Sequence, residues 1–317
     1  MSDTSSSGGR RIALVTGAAR GIGKGIAEAL ASDCDLILGY NSDVAAAQAT
    51  ADELASRFGA RCVCVGGDIT LPETRDKFFE VVDQEFGGKM HVLVHNAGQY
   101  VGVTSTNAHN LPESRGLRFG DGSLLGADGK TDFTTMRYYM AMYGEAWVDL
   151  AERCLKRMVD GESHIVGISS PGCNAISRPN DGYAMPGSGK CLMEYSMRLY
   201  ALAAAPRGIN VNVVIPGVTL SDAWKRLSAH IGGGEGDFAI ATGLADTVPM
   251  RRAASTREMG DVVAFLCSRA GSYVTGVSLP VDGGLHMGRN TGKTLAAAPK
   301  AAADEAAPAI ATGDAPK

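Results

Sequence analysis

Short apolar runs alternate with longer stretches of helical periodicity along most of the chain. The apolar runs predict seven strands, at 12–15, 35–39, 61–65, 91–95, 164–168, 209–215 and 277–281. The stretches between them predict helices near 22–31, 43–58, 73–86, 134–159, 187–204 and 257–268. Strands that alternate with helices in this way are typical of a parallel sheet covered on both faces. The pattern therefore predicts a single-domain, Rossmann-like α/β fold with a doubly wound, seven-stranded parallel sheet.

A glycine-rich turn, residues 16–23, joins the first predicted strand to the first predicted helix. A strand that turns sharply into a helix presents free backbone N–H groups and the positive end of the helix dipole, which suit a pyrophosphate. Glycines also make ordinary strand-to-helix turns, so the pattern by itself leaves both interpretations open. Its candidate nucleotide-binding residues are Gly17, Arg20, Gly21, Ile22 and Gly23.

Three further candidate motifs follow later strands. The carboxyl ends of parallel strands form the edge at which open α/β sheets bind their ligands, and each of these motifs lies at such an end. They favour a nucleotide site over an ordinary turn. They are Asp68 with Ile69, then Asn96, Ala97 and Gly98, and finally Pro216 and Gly217.

Six ordered motifs between residue 10 and about 287 resemble the short-chain dehydrogenase/reductase family. The resemblance implies one catalytic Rossmann-type domain that transfers hydride between a nicotinamide cofactor and a small molecule. It also implies that Asp68 binds the adenine amino group, a role compatible with capping the following helix. The motifs are TGAARGIG at 16–23, GGDIT at 66–70, NAG at 96–98, ISS at 168–170, RGINVNVVIPG at 207–217 and TGVSLPVDGG at 275–284.

The end of the second strand bears on the choice of cofactor. NAD-preferring sites place an acid here for the adenosine ribose, whereas NADP sites carry neutral or basic groups that tolerate the 2′-phosphate. This chain has Tyr40, Asn41 and Ser42 at these positions, and Arg20 offers a positive charge from the glycine-rich turn. Asp43, one residue further on, argues the other way. We interpret the pattern as favouring NADP(H) over NAD(H). By the family resemblance, Thr219 contacts the nicotinamide part of the cofactor.

The catalytic centre departs from the family pattern. The resemblance implies a serine that holds the carbonyl oxygen, a tyrosine acid, and a lysine that orients the ribose and lowers the pKa of the tyrosine. The usual intervals from the flanking motifs lead to Ser170, Tyr183 and Lys190, but six residues separate the tyrosine from the lysine, where the family usually has three. Pro186 suits the first turn of a helix, so Tyr183 is expected on the loop before it.

This spacing leaves three functions open. The first is reduction of a carbonyl, or oxidation of the matching alcohol, in a small to medium, apolar or thioester-linked substrate. The second is reduction of an activated C=C bond, because the spacing of Tyr183 and Lys190 resembles that of enoyl-thioester reductases. The third is a cofactor-binding protein without catalysis. Tyr143 stands where many family members have an asparagine, and is either an alternative acid or a packed aromatic residue.

Composition and charge exclude few functions. A formal net charge of −4 gives no reason to expect nucleic acid as a partner, and no run is long enough to cross a membrane. The seven cysteines show no spacing typical of a metal site and are interpreted as reduced thiols, so we expect no metal and a cytoplasmic protein, although an organelle remains open.

The predicted domain spans 11–288, between an N-terminal tail at 1–10 and an Ala-, Pro- and Lys-rich tail at 289–317, both expected to be disordered. Within the domain, 99–132 is interpreted as an insertion and 220–249 as the substrate loop. The family resemblance implies a homo-oligomer, either a dimer or, as we predict, a homotetramer, joined through the helices predicted at 134–159 and 187–204 and through the last strand.

Overall fold

A seven-stranded parallel sheet forms the centre of the molecule. The computed structural model describes residues 9–99, 118–179, 183–225 and 243–288. Each predicted strand is present to within one or two residues at either end, which confirms the predicted fold class. The strands are β1 Arg11–Thr16, β2 Cys34–Tyr40, β3 Cys62–Gly66, β4 Val92–His95, β5 His164–Ile168, β6 Asn210–Pro216 and, at the far edge, β9 Ser278–Val281.

The strand order is β3-β2-β1-β4-β5-β6-β9, so β2 and β3 are added on one side of β1 and the later strands, beginning with β4, on the other. In register, Val15 of β1 faces Leu38 of β2 on one side and Val94 of β4 on the other. Loops leaving the carboxyl ends of β1 and β4 diverge to opposite sides of the sheet, which opens a crevice between them. The glycine-rich turn follows β1 and the motif at 96–98 follows β4, so both border this crevice.

Helices cover both faces of the sheet and bury its alternating side chains. The helices are α1 Gly21–Leu30, α2 Val44–Phe58, α3 Pro72–Glu85, α4 Thr134–Tyr139, α5 Ala146–Leu155, α6 Ala184–Ala204 and α7 Thr256–Leu266. On one face, Ala13 and Val15 of β1 pack with α1, α2 and α7; on the other, Leu14 packs with α3, α5 and α6.

The helix predicted at 134–159 is three segments. A π-helical turn, Met140–Glu145, separates α4 from α5, and the N–H of Ala146 reaches back five residues to the carbonyl of Ala141. The imidazole of His95 binds the carbonyl of Met142 inside this turn, and this side-chain hydrogen bond takes a carbonyl out of the regular α-helical pattern. The helix also ends earlier than predicted, at Leu155.

The sixth helix begins at Ala184, three residues before the predicted start, and places Pro186 in its first turn. Tyr183 is the residue directly before it, as expected from the proline. A pair of short parallel strands, β7 Thr219–Leu220 and β8 Ala254–Ser255, was not predicted.

Most of the predicted insertion, at 100–117, and much of the predicted substrate loop, at 226–242, lie outside the described residues. So do the first eight residues and the predicted C-terminal tail. Within the described ranges, no helix combines the length and the apolar character that a membrane crossing requires.

Candidate active site

A cavity of about 330 Å³ lies at the crevice between β1 and β4. It is lined by residues from the glycine-rich turn, from the ends of β2 and β3, from the motif after β4 and from α4 with its π-helical extension. Nine of the predicted cofactor residues line it: Gly17, Arg20, Tyr40, Asn41, Ser42, Asp68, Ile69, Ala97 and Gly98.

Close packing shapes the glycine-rich turn. A Cβ on Gly23 would lie 2.1 Å from the carbonyl oxygen of Gly17, so only glycine fits at this first turn of α1. Asn96 ties the two sides of the crevice together, because its side-chain amide donates to the carbonyls of Thr16 and Gly17 at 3.2 and 3.1 Å. Asn96 therefore supports the cavity and does not line it.

The end of β2 carries the groups that bear on the choice between NAD and NADP. Asp43 caps α2 by accepting from the N–H of Ala46 at 3.0 Å, and it also pairs with Arg20. The Ala46 hydrogen bond, and secondarily Arg20, hold the pKa of Asp43 below its usual range. The Asp43 carboxylate, which argued for NAD in the sequence, thus caps a helix and forms an ion pair.

Five predicted cofactor residues lie at the edge of the site. Asp222 accepts from the N–H of Gly21 at 3.0 Å, which joins the start of α1 to the segment after β6. Ile22 follows in the first turn of α1. Pro216 ends β6, and the hydroxyl of Thr219 donates to the carbonyl of Gly217 at 3.1 Å.

Asp68 has a structural role in addition to its place in the cavity. Its carboxylate accepts from the N–H of Thr70 at 2.9 Å and so shapes the turn that leads into α3. Asp68 does not cap α3 as expected, because Leu71 is the N-cap residue and no side chain caps the helix there. The Asp68 side chain lines the cavity, as the cofactor interpretation requires.

Ser170 and Tyr183 meet at the carboxyl end of β5, the strand next to β4. The hydroxyl of Ser170 donates to the phenolic oxygen of Tyr183 at 3.0 Å. These are the two residues that the family's usual intervals select, although Tyr183 comes from the residue before α6 and not from within a helix. A hydroxyl pair of this kind can hold one oxygen atom between two donors.

Lys190 is buried on α6, with 4% of the residue exposed. Its ammonium donates to the carbonyl of Ile168, two residues before Ser170, and its Nζ lies 3.8 Å from the centre of the Tyr143 ring. Burial lowers the pKa of Lys190 to about 8. The positive charge is thus fixed at the end of β5, beside the serine and tyrosine pair.

A buried carboxylate, which the sequence did not single out, stabilises the same region. Glu194 lies one helical turn after Lys190 and accepts from the hydroxyl of Ser169, the amide of Asn174 and the hydroxyl of Ser278. Ser169 and Asn174 are the two ends of the loop that carries Ser170. Glu194 therefore holds this loop against α6 from both sides.

His95, which is fully buried, links the crevice to the π-helical turn. Because a carbonyl can only accept, Nε2 donates to the carbonyl of Met142 at 3.0 Å, and Nδ1 then accepts from the hydroxyl of Thr16 at 3.1 Å. The Thr16 oxygen in turn accepts from the N–H groups of Asn96 and Ala97, each at 3.0 Å. Burial lowers the pKa of His95 to about 3, so it is neutral at physiological pH.

Tyr143 is a packed aromatic residue in the π-helical turn. It is 4% exposed, its ring stacks on Tyr139 at 5.9 Å between centroids, and its hydroxyl donates to the carbonyl of Gln99 at 3.3 Å. Gly189 of α6 packs so close to this turn that a Cβ there would lie 2.3 Å from the carbonyl of Tyr139. Of the two interpretations of Tyr143, this packing favours the structural one.

A family model described as short chain dehydrogenase matches residues 11–232 of the chain. This match covers the glycine-rich turn, the serine and tyrosine pair and Lys190. The chain belongs to the short-chain dehydrogenase/reductase family. It is thus an oxidoreductase of that family, as the sequence motifs predicted.

This short-chain dehydrogenase/reductase is similar to curated reductases and to the solved structure of a reductase. It is 30% identical over 280 residues to 1-cyclohexenylcarbonyl-CoA reductase of Streptomyces collinus, with 88% of each chain covered. It is 30% identical over 289 residues to the 3-oxoacyl-acyl-carrier-protein reductase of Vibrio cholerae, with 87% of this chain and 98% of the relative covered. The structure of L-sorbose reductase from Gluconobacter frateurii with NADPH and L-sorbose matches 90% of this chain and 98% of its own, at 25% identity and a TM-score of 0.69.

The site of this short-chain dehydrogenase/reductase includes residues that the sequence motifs did not indicate. They come from α3, from the loop after β4, from α4 and from its π-helical extension. The additional lining residues of the cavity include Phe78, Gln99, Tyr138 and Met142.

Proposed function

We propose that the protein is an NADP(H)-dependent oxidoreductase that interconverts a carbonyl group and the matching alcohol. The observation that carries this proposal is the 3.0 Å hydrogen bond between Ser170 and Tyr183. It lies at the end of β5, which pairs with β4, and the loop after β4 lines the cofactor cavity. A polar pair that can hold an oxygen and donate a proton thus lies beside a cavity suited to a nucleotide.

The residues around the cavity fit NADP(H) better than NAD(H). Tyr40, Asn41 and Ser42 offer no carboxylate to the adenosine ribose, and Asp43 is already engaged by α2 and Arg20. Arg20, about one third exposed, carries its positive charge at the same end of the cavity, where it pairs with Asp43. The NADPH bound in the L-sorbose reductase structure supports the same preference.

The proposed roles of the catalytic residues follow from their positions. When bound, NADPH supplies the hydride. Tyr183 donates its phenolic proton to the substrate oxygen, and Ser170 donates a hydrogen bond to the same atom. Lys190 keeps a positive charge near this oxygen, which favours the negative charge that develops there. His95, through Thr16, fixes the loop at 96–98 that forms the opposite wall.

A second candidate function is the reduction of a C=C bond conjugated to a thioester. The observation that favours it is the position of Tyr183 before α6, six residues from Lys190. The named relative from Streptomyces collinus is a reductase of an unsaturated acyl-CoA. In this alternative, Tyr183 assists an enolate oxygen. The names of both relatives specify an acyl group carried by CoA or by acyl-carrier protein, which supports a thioester-linked, apolar substrate for either function.

The test compares the wild type with Tyr183→Phe by following NADPH oxidation with matched ketones, 3-ketoacyl thioesters and 2-enoyl thioesters. We expect turnover of the 3-ketoacyl thioester, and a loss of at least 100-fold in kcat in Tyr183→Phe. Tyr143→Phe is the matched control and should keep kcat within about threefold, because the Tyr143 hydroxyl donates to a backbone carbonyl. Faster turnover of the 2-enoyl thioester would favour the second function, and loss of turnover in Tyr143→Phe alone would reassign the acid.

We further propose a cytoplasmic homotetramer that uses α6 as one interface. Tyr195, Leu199 and Leu202 lie three to four residues apart on this helix and are 61%, 51% and 77% exposed. This spacing places them on one face. An apolar stripe of this kind on an otherwise polar surface is typical of a contact between subunits.

A further inference from the structure

Two cysteine thiols meet beside the proposed catalytic residues. Cys173 lies in the loop that follows Ser170, and Cys191 lies on α6 directly after Lys190. The thiol of Cys191 donates to the carbonyl oxygen of Cys173 at 2.9 Å. Residues that are 18 positions apart in the chain are thus brought together by the packing of this loop on α6.

The two thiols differ in accessibility and in acidity. Cys191 is exposed, whereas Cys173 is only 7% exposed. The neighbouring Cys173 thiol lowers the pKa of Cys191 to about 7, whereas the Cys191 thiol and burial raise the pKa of Cys173 far above its usual value. Cys191 is therefore the more acidic and the more accessible of the two thiols, and it lies one turn before Tyr195, at the N-terminal end of the α6 face proposed as a subunit contact.

The remaining five cysteines lack these properties. Cys34, Cys154 and Cys267 are buried, and burial raises the pKa of each. Cys62 and Cys64 are half-buried on β3, and burial raises their pKa values as well. Selective oxidation of the chain is therefore expected to begin at Cys191.

We propose that Cys173 and Cys191 form a reversible disulfide in response to a peroxide, and that this disulfide lowers the activity of the adjacent site. The Cys191 thiolate attacks one oxygen of hydrogen peroxide, the O–O bond breaks, and the released hydroxide takes up a proton to become water. Cys173 then attacks the sulfenic sulfur. The S–S bond forms, the S–O bond breaks, and the hydroxyl leaves as water with the proton of Cys173. A thiol reductant reverses the reaction.

The expected effect on activity follows from the position of the loop. A disulfide requires an S–S distance of about 2 Å, so the loop at 171–174 must move toward α6. Asn174 and Ser169 share the carboxylate of Glu194, and Ser170 lies between them. Movement of the loop therefore displaces the hydroxyl of Ser170 from Tyr183. This effect rests on the proposed function, whereas formation of the disulfide does not.

Peptide mapping of the full-length protein tests the modification. Trypsin cleaves after Arg157, Lys190 and Arg198, so Cys173 falls on peptide 158–190 and Cys191 on peptide 191–198. The reduced protein is treated with a small excess of hydrogen peroxide, blocked with N-ethylmaleimide and digested. We expect a cross-linked pair of these two peptides, which dithiothreitol separates.

Three variants make the test specific. In Cys191→Ser, peroxide should oxidise the remaining thiols at least 10-fold more slowly than it oxidises the first two thiols of the wild type. Cys173→Ser should accumulate a sulfenic acid that dimedone traps at Cys191. Cys62→Ser, on the distant strand β3, should form the cross-link at the wild-type rate. Cross-links that join other cysteines, or equally fast oxidation of Cys191→Ser, would overturn the proposal.

Activity is measured on the same samples. We expect NADPH turnover to fall at least fivefold on cross-linking, to return with dithiothreitol, and to be insensitive to peroxide in Cys191→Ser. Unchanged turnover in the fully cross-linked protein would refute the regulatory effect. A reduced protein that forms the cross-link but turns over no substrate would refute the proposed function and leave the modification site supported by the peptide map.

Discussion

Glu194 offers the sharpest test of how the active-site loop is held. Its carboxylate accepts three hydrogen bonds, from Ser169, Asn174 and Ser278, in a site where Glu194 is only 5% exposed. Two of the three donors bind the same oxygen, Oε2. The variant Glu194→Gln keeps the shape of the side chain but replaces one accepting oxygen by an N–H donor.

The expected cost follows from these contacts. Hydrogen bonds to a charged group contribute about 1.5–3 kcal/mol each, and those between neutral groups about 0.5–1.5 kcal/mol. In Glu194→Gln the bond from Asn174 is lost and the bond from Ser169 becomes a neutral one, while relief of a buried charge offsets part of the loss. We expect the free energy of unfolding to fall by about 2–3 kcal/mol.

The variant should also slow catalysis without weakening cofactor binding. A displacement of the Ser170 loop by a fraction of an ångström costs on the order of 10-fold to 100-fold in kcat. Glu194 does not line the nucleotide cavity, so the KM for NADPH should stay within about twofold. A variant that was only less stable would show a lower melting temperature and an unchanged kcat at temperatures where it is folded.

The assay combines urea unfolding at one fixed protein concentration with steady-state kinetics. Glu152→Gln is the matched control, because Glu152 accepts an exposed hydrogen bond from Tyr200 at 2.9 Å and its loss should cost under about 0.5 kcal/mol. If Glu194→Gln matched this control in both stability and kcat, the reasoning that Glu194 positions the loop would be refuted.

Three further variants test other parts of the structure. Lys190→Met should lower kcat at least 100-fold yet raise the free energy of unfolding at pH 7 by about 1–3 kcal/mol, because the buried ammonium has its pKa lowered to about 8; a urea titration that showed a loss of stability would contradict this. His95→Gln should reduce the acid sensitivity of the fold: His95 stays neutral down to a pKa of about 3 while the unfolded histidine takes up a proton near pH 6.5, so stability is full above pH 6.5 and is lost as the pH falls toward 3. Between pH 7 and pH 5 the wild type should therefore lose about 2 kcal/mol more than the variant in parallel urea titrations. Leu199→Glu, on the exposed face of α6, should reduce the mass measured by light scattering while circular dichroism stays unchanged; a wild type of one-chain mass would argue against the proposed interface.

Much of the fold is readable in the chain because its signals are local. Apolar runs such as the one at 12–15 are short and β-rich, and the structure shows β1 as Arg11–Thr16. Pro186 indicated the first turn of a helix, and α6 begins two residues before it. Intervals within the family pattern selected Ser170 and Tyr183, and the structure places their oxygens 3.0 Å apart.

The interruption of the helix predicted at 134–159 could not be predicted from local sequence signals. Residues 134–159 have continuous helical periodicity, and the single glycine within the π-helical turn, Gly144, does not by itself indicate a break. The turn depends on His95, which lies some 47 residues away in the chain and binds the carbonyl of Met142. A side chain on a neighbouring strand therefore decides the local geometry of this helix.

The sequence by itself determined the sheet, the order of its helices and the edge at which a nucleotide site lies, because hydrophobic periodicity and glycine-rich turns act over a few residues. Only the tertiary structure decided that Asp43 is engaged by Arg20, that Glu194 holds the loop of Ser170, and that Cys173 meets Cys191. Each of these contacts joins segments that are distant in the chain. The charge, pKa and reactivity of these side chains depend on burial and on neighbouring groups, and both arise only when the helices pack against the sheet.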